Sequence, residues 1–582
     1  MLDKNYRKIR RRALAVIVLF FAGFIMLGVR AFTLQVLDGH IHQKKALSQT
    51  TGSIVIHPRR GFIYDREMRI LASNQQVPSL VAQPRLMDDE ERLIAKTIAK
   101  EIFELERKKL KRLDYDKLFV RLKRNLSEQE VKLFKNTIRK MGKESRPLHL
   151  NLSNEDKRAY PSGILAAPIL GFVNRDLEGK MGLERKFDSD LQGSSQKFSG
   201  LIDNSGKLAL ESLDLSLDVP TGDHLVLTID KGMQYVTERV IRATVEKYQA
   251  AYGIAIVMDV KNSDVLAMGQ WPTFDPNDLN KTPMSRLHNY AIEWTFEPGS
   301  TMKTFVVAGA IDSARYVPDD KIYCNMGEFQ IGPNKIHDTT RHGHLTISDV
   351  LAKSSNIGTA KIGMDLGAEK VYEILRSFGF GERSGIRLPV ESRGILAKPE
   401  DWEPIELATI SFGQGVNTTG IQLANAMCAI ANGGKLIQPR IVRKVISADG
   451  EVKKSFETKI IREVVGENTA MLMREMLKEA ASERGTGRKS QMEACQVAGK
   501  TGTAEKLFKN QQVGERKYWT SSYAGFFPAD DPEIVILVIV DEPAGKKFYG
   551  GDVAGPAFKE IAEEVSSMRG VCSTRNQQLA EK

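Results

Sequence analysis

Ser300 and Lys303 stand three residues apart in the run EPGSTMKTF. On a helix that spacing puts both side chains on one face, where they can exchange a proton. Serine is a poor nucleophile until a base removes its proton, and lysine serves as that base only when desolvation or nearby cations pull its pKa down from about 10.4. Glu297-Pro298-Gly299 reads as a turn feeding a helix start. Ser300 is therefore expected in a first helical turn, with free backbone N–H groups beside it to stabilise an oxyanion. The pair alone is weakly specific, since about two or three Ser-x-x-Lys matches are expected by chance in a chain of this length. Ser194-Ser195-Gln196-Lys197 is such a match.

Two further motifs follow in order. Ser354-Ser355-Asn356 supplies Ser-x-Asn, and Lys500-Thr501-Gly502-Thr503 supplies Lys-Thr-Gly and another hydroxyl. Met singly, the first reads as a helix cap and the second as a strand ending in a turn. Together the three form the set found in penicillin-binding proteins and class A β-lactamases. With RRGFIYDREMRILASN, GKMGLERKFD, LTIDKGMQYVTE, SFGQGVNTTGIQLANA and YGGDVAGPAF, the chain from about Arg59 to Phe558 resembles a class B penicillin-binding protein. Asn356 and HGHLTISDVLAKSSNIG are similar to the cell-division transpeptidases of that class, whereas the elongation-specific relatives usually carry Asp at that place. AYPSGILAAPILGFVN departs from the family at Pro168, where histidine is usual.

The resemblance implies a role for each residue. Ser300 attacks the carbonyl of the penultimate D-alanine of a peptidoglycan stem peptide, expels the terminal D-alanine and holds the rest as an acyl-enzyme, which an amine of a neighbouring strand then displaces. Lys303 is the base for acylation, helped by the repulsion of Lys500. Ser354 relays the proton to the leaving amine. Asn356 orients Lys303 and the substrate amide, because it offers a donor and an acceptor at once. Lys500 stays protonated and draws in the substrate carboxylate, to which Thr501 or Thr503 adds a hydroxyl. Gly502 lets the substrate backbone approach, and the backbone N–H of Thr503 is the second oxyanion donor beside that of Ser300.

The elements that must position these residues follow from pattern. GIAIVMDV and VLAMGQ read as a hairpin turning at Lys261 to Asp264, and QVAGKTGTAEK and EIVILVIVDEP as further strands with TSSYAGFFPA between them. These come from distant parts of the chain, so the α+β fold expected is an antiparallel, long-range sheet flanked by helices, the penicillin-binding transpeptidase domain of the resemblance. That domain is assigned residues 221–569, opening at HLVLTID. Residues 38–220 are assigned to an extended α+β pedestal without catalytic motifs, in which LIAKTIAKEIFELERKKLKRL shows helical spacing. A polar tail occupies 570–582.

Ala13 to Val29 is an apolar run of 17 residues, about 26 Å as a helix, against a bilayer core of about 30 Å. Residues 13–37 are thus expected to be a transmembrane helix with a juxtamembrane extension. Lys4, Arg7, Lys8, Arg10, Arg11 and Arg12 against Asp3 are expected to put the tail 1–12 in the cytoplasm and the rest outside; the resemblance implies that this is the periplasmic side of a bacterial inner membrane. The run exceeds a usual signal core, and no small-x-small cleavage site follows it. The net charge of +11 is diffuse and lacks aromatic interleaving, which gives no case for nucleic acid. His342-Gly343-His344 lacks a third clustered ligand, so no metal and no other cofactor is expected. The four cysteines show no CxxC spacing; a Cys324–Cys495 or other bridge is open, and the spacing establishes none.

Three rival functions share parts of this pattern. A class A β-lactamase needs a glutamate in a Glu-x-x-x-Asn setting, and Glu391 in PVESRGIL has Ile395 four residues on. A penicillin-binding sensor or scaffold usually signals through a cytoplasmic domain, and here twelve residues precede the apolar run. An elongation transpeptidase shares the chemistry and differs in assembly. The partners implied are stem peptides, β-lactam antibiotics, other membrane proteins of the division machinery at the septum, and a multispanning glycan polymerase of the shape, elongation, division and sporulation family.

Overall fold

The computed structural model describes residues 2–56, 58–142, 145–194, 196–201, 221–506 and 517–572. Ser195 and the tail after Cys572 lie outside these residues. The chain divides into two compact units, Met1–Arg59 with Gly193–Thr221 and Arg60–Gln192 with Gly222–Lys582.

In the first unit an α-helix runs over Leu2–Phe32 and continues as a π-helical turn, Thr33–Leu37. Lys8–Leu37 is long and apolar enough to cross a membrane, and its side chains are exposed. Thr51–Ile56 pairs antiparallel with Gln196–Leu201.

The second unit holds two large sheets. The five-stranded sheet runs in the order Ala498–Lys506, Tyr518–Phe527, Ile534–Asp541, Tyr252–Asp259 and Val265–Trp271, antiparallel throughout. TSSYAGFFPA is not a connector: it supplies most of the second strand. Residues 534–540 of the third strand are continuously apolar because both faces of the strand are buried. Ile536, Val538 and Val540 pack under the helices Lys231–Tyr248 and Gly550–Arg569, while Val535, Leu537 and Ile539 face the larger core with the helices Lys303–Asp312 and Gly420–Ala431. Residues 305–311 of the Lys303–Asp312 helix are apolar all round, as a segment enclosed in a core must be.

The seven-stranded sheet draws strands from both sides of residue 220. His224–Leu227 lies parallel beside Ile63–Tyr64 and antiparallel beside Val442–Ile446. Beneath it Glu184 is fully buried between two arginines, accepting from Arg60 Nε and Arg158 Nε at 2.6 Å each. The charged stretch after Asp88 is not one helix. Asp89–Phe103 buries Ala95, Ile98, Ala99 and Phe103, and the chain then breaks at Glu104, which takes the left-handed conformation.

Cys495 is bonded to Cys572, and Cys324 and Cys428 are buried free thiols. A Cys324–Cys495 bridge is excluded because Cys324 sits behind the catalytic segment, with its Sγ 3.5 Å from Ser355 Oγ.

Candidate active site

Ser300 lies in a single 3-10 turn, Gly299–Thr301, which leads directly into the helix beginning at Lys303. Three constraints shape that turn. Thr295–Phe296 pairs with Thr418–Thr419, Gly299 N donates to Gly413 O at 3.0 Å, and Thr301 Oγ1 donates to Pro298 O at 2.8 Å. Gly413 has φ +90°, and a Cβ there would come within 2.0 Å of Gly299 O, so only glycine lets SFGQG close on the turn. Glu297 accepts from Gly415 N at 2.9 Å, and burial pushes its carboxyl up.

Lys303 is fully buried at the start of its helix. Its Nζ donates to Ser354 O at 2.6 Å and to Asn356 Oδ1 at 2.7 Å, and Ser354 Oγ lies at 3.2 Å. Burial lowers its pKa far below the usual lysine range, the facing Lys500 ammonium lowers it further, and Asp338 acts in the opposite direction. A neutral Lys303 keeps two N–H groups for the two obligate acceptors and a lone pair for a hydroxyl, which is what a base at this place requires.

Lys500 is also fully buried, and burial lowers its pKa to about 7. Its Nζ donates to Thr501 O at 3.2 Å and approaches Thr501 Oγ1 at 3.4 Å. Thr501 Oγ1 in turn shares a 2.7 Å hydrogen bond with Thr486 Oγ1. Thr503 Oγ1 accepts from Gly550 N at 3.0 Å, so Thr501 is the hydroxyl closer to the ammonium. Lys500 occupies the edge strand of its sheet. Gly502 faces inward: a Cβ there would stand 2.7 Å from Pro298 O and 2.3 Å from Ser522 Oγ, so glycine is required for the strand to reach the Ser300 turn. A Cβ on Gly299 would stand 3.3 Å from Thr503 N. The Thr503 amide therefore lies beside the turn that carries Ser300.

Ser354 has φ +59° between the helices Ile347–Ala352 and Asn356–Leu366, a conformation that turns its carbonyl and hydroxyl toward Lys303. Asn356 Nδ2 donates to His337 O at 3.0 Å, leaving its second N–H available. The structure thus gathers Lys303, Ser354 and Asn356 and places Lys500 against Lys303. Ser194 lies exposed, outside any helix. Glu391 accepts from Ser384 N at 2.6 Å and Gly385 N at 3.2 Å, which accounts for it structurally. Sequence reasoning missed Asp338, Thr486 and Gly413. Only Gly413 carried a signal, as a glycine in a quoted family run.

The penicillin binding protein transpeptidase domain model matches residues 253–563, and the penicillin-binding protein dimerisation domain model matches residues 55–227. The chain belongs to the penicillin-binding protein transpeptidase family. It is 31% identical to stage V sporulation protein D of Bacillus subtilis, over 98% of this chain and 87% of that one. It is 30% identical to peptidoglycan D,D-transpeptidase FtsI of Escherichia coli, over 94% and 89%. Among solved structures, penicillin binding protein 3 of Mycobacterium tuberculosis complexed with aztreonam aligns with TM-score 0.67 and 27% identity, covering 89% of this chain and 98% of that chain. A peptidoglycan synthetase of Bifidobacterium adolescentis aligns with TM-score 0.70 and 26% identity, covering 90% and 97%.

Proposed function

We propose that this protein is a membrane-anchored serine D,D-transpeptidase that cross-links peptidoglycan stem peptides through an acyl-enzyme on Ser300 and is acylated there by β-lactams. The observation that carries the reading is the buried Lys303, ringed by Ser354 and Asn356 and facing Lys500. Lys303 takes the Ser300 proton as Oγ bonds to the D-alanyl carbonyl carbon. The N–H groups of Ser300 and Thr503 hold the oxyanion; losing one such donor typically costs about 3 kcal/mol. The proton passes through Ser354 to the departing D-alanine amine. An acceptor amine then attacks the ester, its proton returns by the same route, and Ser300 is released. Lys500 and Thr501 hold the donor carboxylate; Gly502, read from sequence as room for the donor backbone, instead lets its strand pack against the Ser300 turn.

Mass spectrometry of the intact protein and of its tryptic peptides after a β-lactam tests the nucleophile. A stoichiometric adduct on the Ser300 peptide is expected; an adduct at Ser194, or full labelling of Ser300→Ala, rejects the assignment.

The cellular reading is septal wall synthesis, with residues 1–12 cytoplasmic, 13–37 spanning, and the catalytic part outside. Residues 13–37 and the 38–220 segment contact a glycan polymerase of the shape, elongation, division and sporulation family. Ala13, Ala15, Ala22, Gly23 and Gly28 are the small residues that allow close helix approach in lipid. Swapping residues 13–37 for an unrelated span is expected to abolish midcell recruitment while Ser300 acylation persists. Normal division after the swap reduces the segment to a tether, and rounding of cells on depletion assigns the protein to elongation.

A further inference from the structure

Asp338 follows the hairpin Glu328–Ile331 and Asn334–His337 and sits at the amino end of the Asn356–Leu366 helix. Its Oδ1 accepts from Asn356 N at 2.6 Å and from Ile357 N at 3.0 Å, and its Oδ2 accepts from Ser355 Oγ at 2.6 Å. Ser355 Oγ also accepts from Gly358 N at 2.9 Å as the helix cap. One carboxylate therefore answers two of the otherwise unpartnered N–H groups of that helix and fixes its cap, in the place where the helix dipole favours negative charge. The residue before it, His337, holds the Asn356 side chain through its carbonyl. Asn356 is thus pinned at backbone and side chain by two consecutive residues of another element, and its Oδ1 is left facing Lys303 Nζ.

We propose that Asp338 is a positioning residue of this active site: it fastens the Ser354–Asn356 segment around Lys303 and supplies the negative charge that opposes Lys500 there. The proposal rests on Lys303 being the acylation base. The groups facing Lys303 from the elements packed on it are Lys500 from the edge strand, Asp338 from beyond the hairpin, and the uncharged Ser354 and Asn356. Cys324, behind Ser355, is a thiol whose pKa burial raises, so it adds no charge at neutral pH.

A structural cap and a charge that tunes the base differ in their pH signature. Replacing Asp338 takes away a carboxylate that favours protonated Lys303, so Lys303 loses its proton at lower pH and the acid limb of acylation moves down.

The test is the acylation rate of the full-length protein by a fluorescent penicillin, followed across pH for wild type, Asp338→Asn, Ser355→Ala, Lys303→Ala and Ser300→Ala. Asp338→Asn is expected to lower the maximal rate about tenfold and to move the acid limb down by about one pH unit. Ser355→Ala, which weakens the same cap and keeps the charge, is expected to leave the limb in place. An Asp338→Asn limb at the wild-type pH overturns the proposal, whether or not the rate falls. If Asp338→Asn does not fold, a neutral Ser355→Ala limb shifted as far as one unit overturns it equally, because the cap alone then sets the limb. A Lys303→Ala protein that acylates at the wild-type rate removes the base assignment itself, whatever Asp338 does, while Ser300→Ala remains unlabelled.

Discussion

Glu184 in the amino-terminal part of the second unit and Lys303 and Lys500 in the active site are buried to the same degree, yet their partners differ. Glu184 lies between two guanidiniums, Arg60 and Arg158, and Arg60 also reaches Asp188 at 2.7 Å. Charge is matched by charge and each contact has hydrogen-bond geometry. At the active site two groups of like sign face each other, and among the described residues no carboxylate bonds to either. Fold stability alone would select against the second arrangement, because a buried ammonium without a counter-charge loses hydration and gains little. In the proposed mechanism such a site accepts the charge that a substrate brings. The first cluster holds the chain together, and the second stores an imbalance that chemistry uses.

The comparison breaks most readily at Lys303. Lys303→Ala is expected to slow acylation at saturating ligand by about 1,000-fold or more, with no loss of thermal stability, as followed by labelling rate and thermal unfolding. Loss of folding together with activity would put Lys303 in the same category as Glu184. The converse change, Glu184→Ala, takes the carboxylate from buried Arg158 and leaves buried Arg60 with Asp188 alone, and is expected to destabilise the second unit by about 3–5 kcal/mol. The folded fraction should keep its acylation rate, since Glu184 hydrogen-bonds to none of the catalytic residues.

Lys500 sharpens the contrast through pH. Its folded pKa of about 7 lies below the usual 10.5, so between these values the unfolded chain binds a proton that the native one does not. Stability from this group is present above pH 10.5 and is lost as pH falls toward 7. Lys500→Met should therefore raise the melting midpoint more at neutral than at alkaline pH, by an amount on the order of 2–4 °C. In the wild type, kcat/KM for donors bearing the carboxylate should decline as pH rises through about 7, where Lys500 loses its charge, while carboxylate-free donors are spared. Equal profiles for both donors would end the assignment of Lys500 as the anion anchor. The smallest effect is expected at Tyr160, whose hydroxyl meets Glu184 at 3.3 Å. With two arginines already on that carboxylate, Tyr160→Phe should change unfolding free energy by about 0.5 kcal/mol.

The candidate catalytic groups stand in short local motifs that a sequence displays directly, and four of the five strands of the antiparallel sheet were legible, three of them as apolar runs, whereas Tyr518–Phe527 read as the segment between two strands. What was not legible depends on contacts across the fold. Asp338 acquires its place only when a hairpin folds over the Asn356 helix, and Thr486 only when its loop lies against Thr501. His224–Leu227 read as the opening of the catalytic domain, and its parallel neighbour Ile63–Tyr64 is two residues long, too short to announce a partner. The break at Glu104 was hidden because helical spacing of apolar residues continues across it.

The Cys495–Cys572 bond, with its sequence separation of 77, closes a covalent ring. That ring contains Lys500, Thr501 and Thr503, three of the five strands, and the Gly550–Arg569 helix. A single proteolytic cut anywhere inside it releases no fragment until the sulfurs are reduced, so the half of the candidate active site that carries Lys500 and Thr501 stays attached to the body even when nicked. In the location proposed for this enzyme, outside the cell membrane, that tether would convert a first cleavage from a loss into a scar.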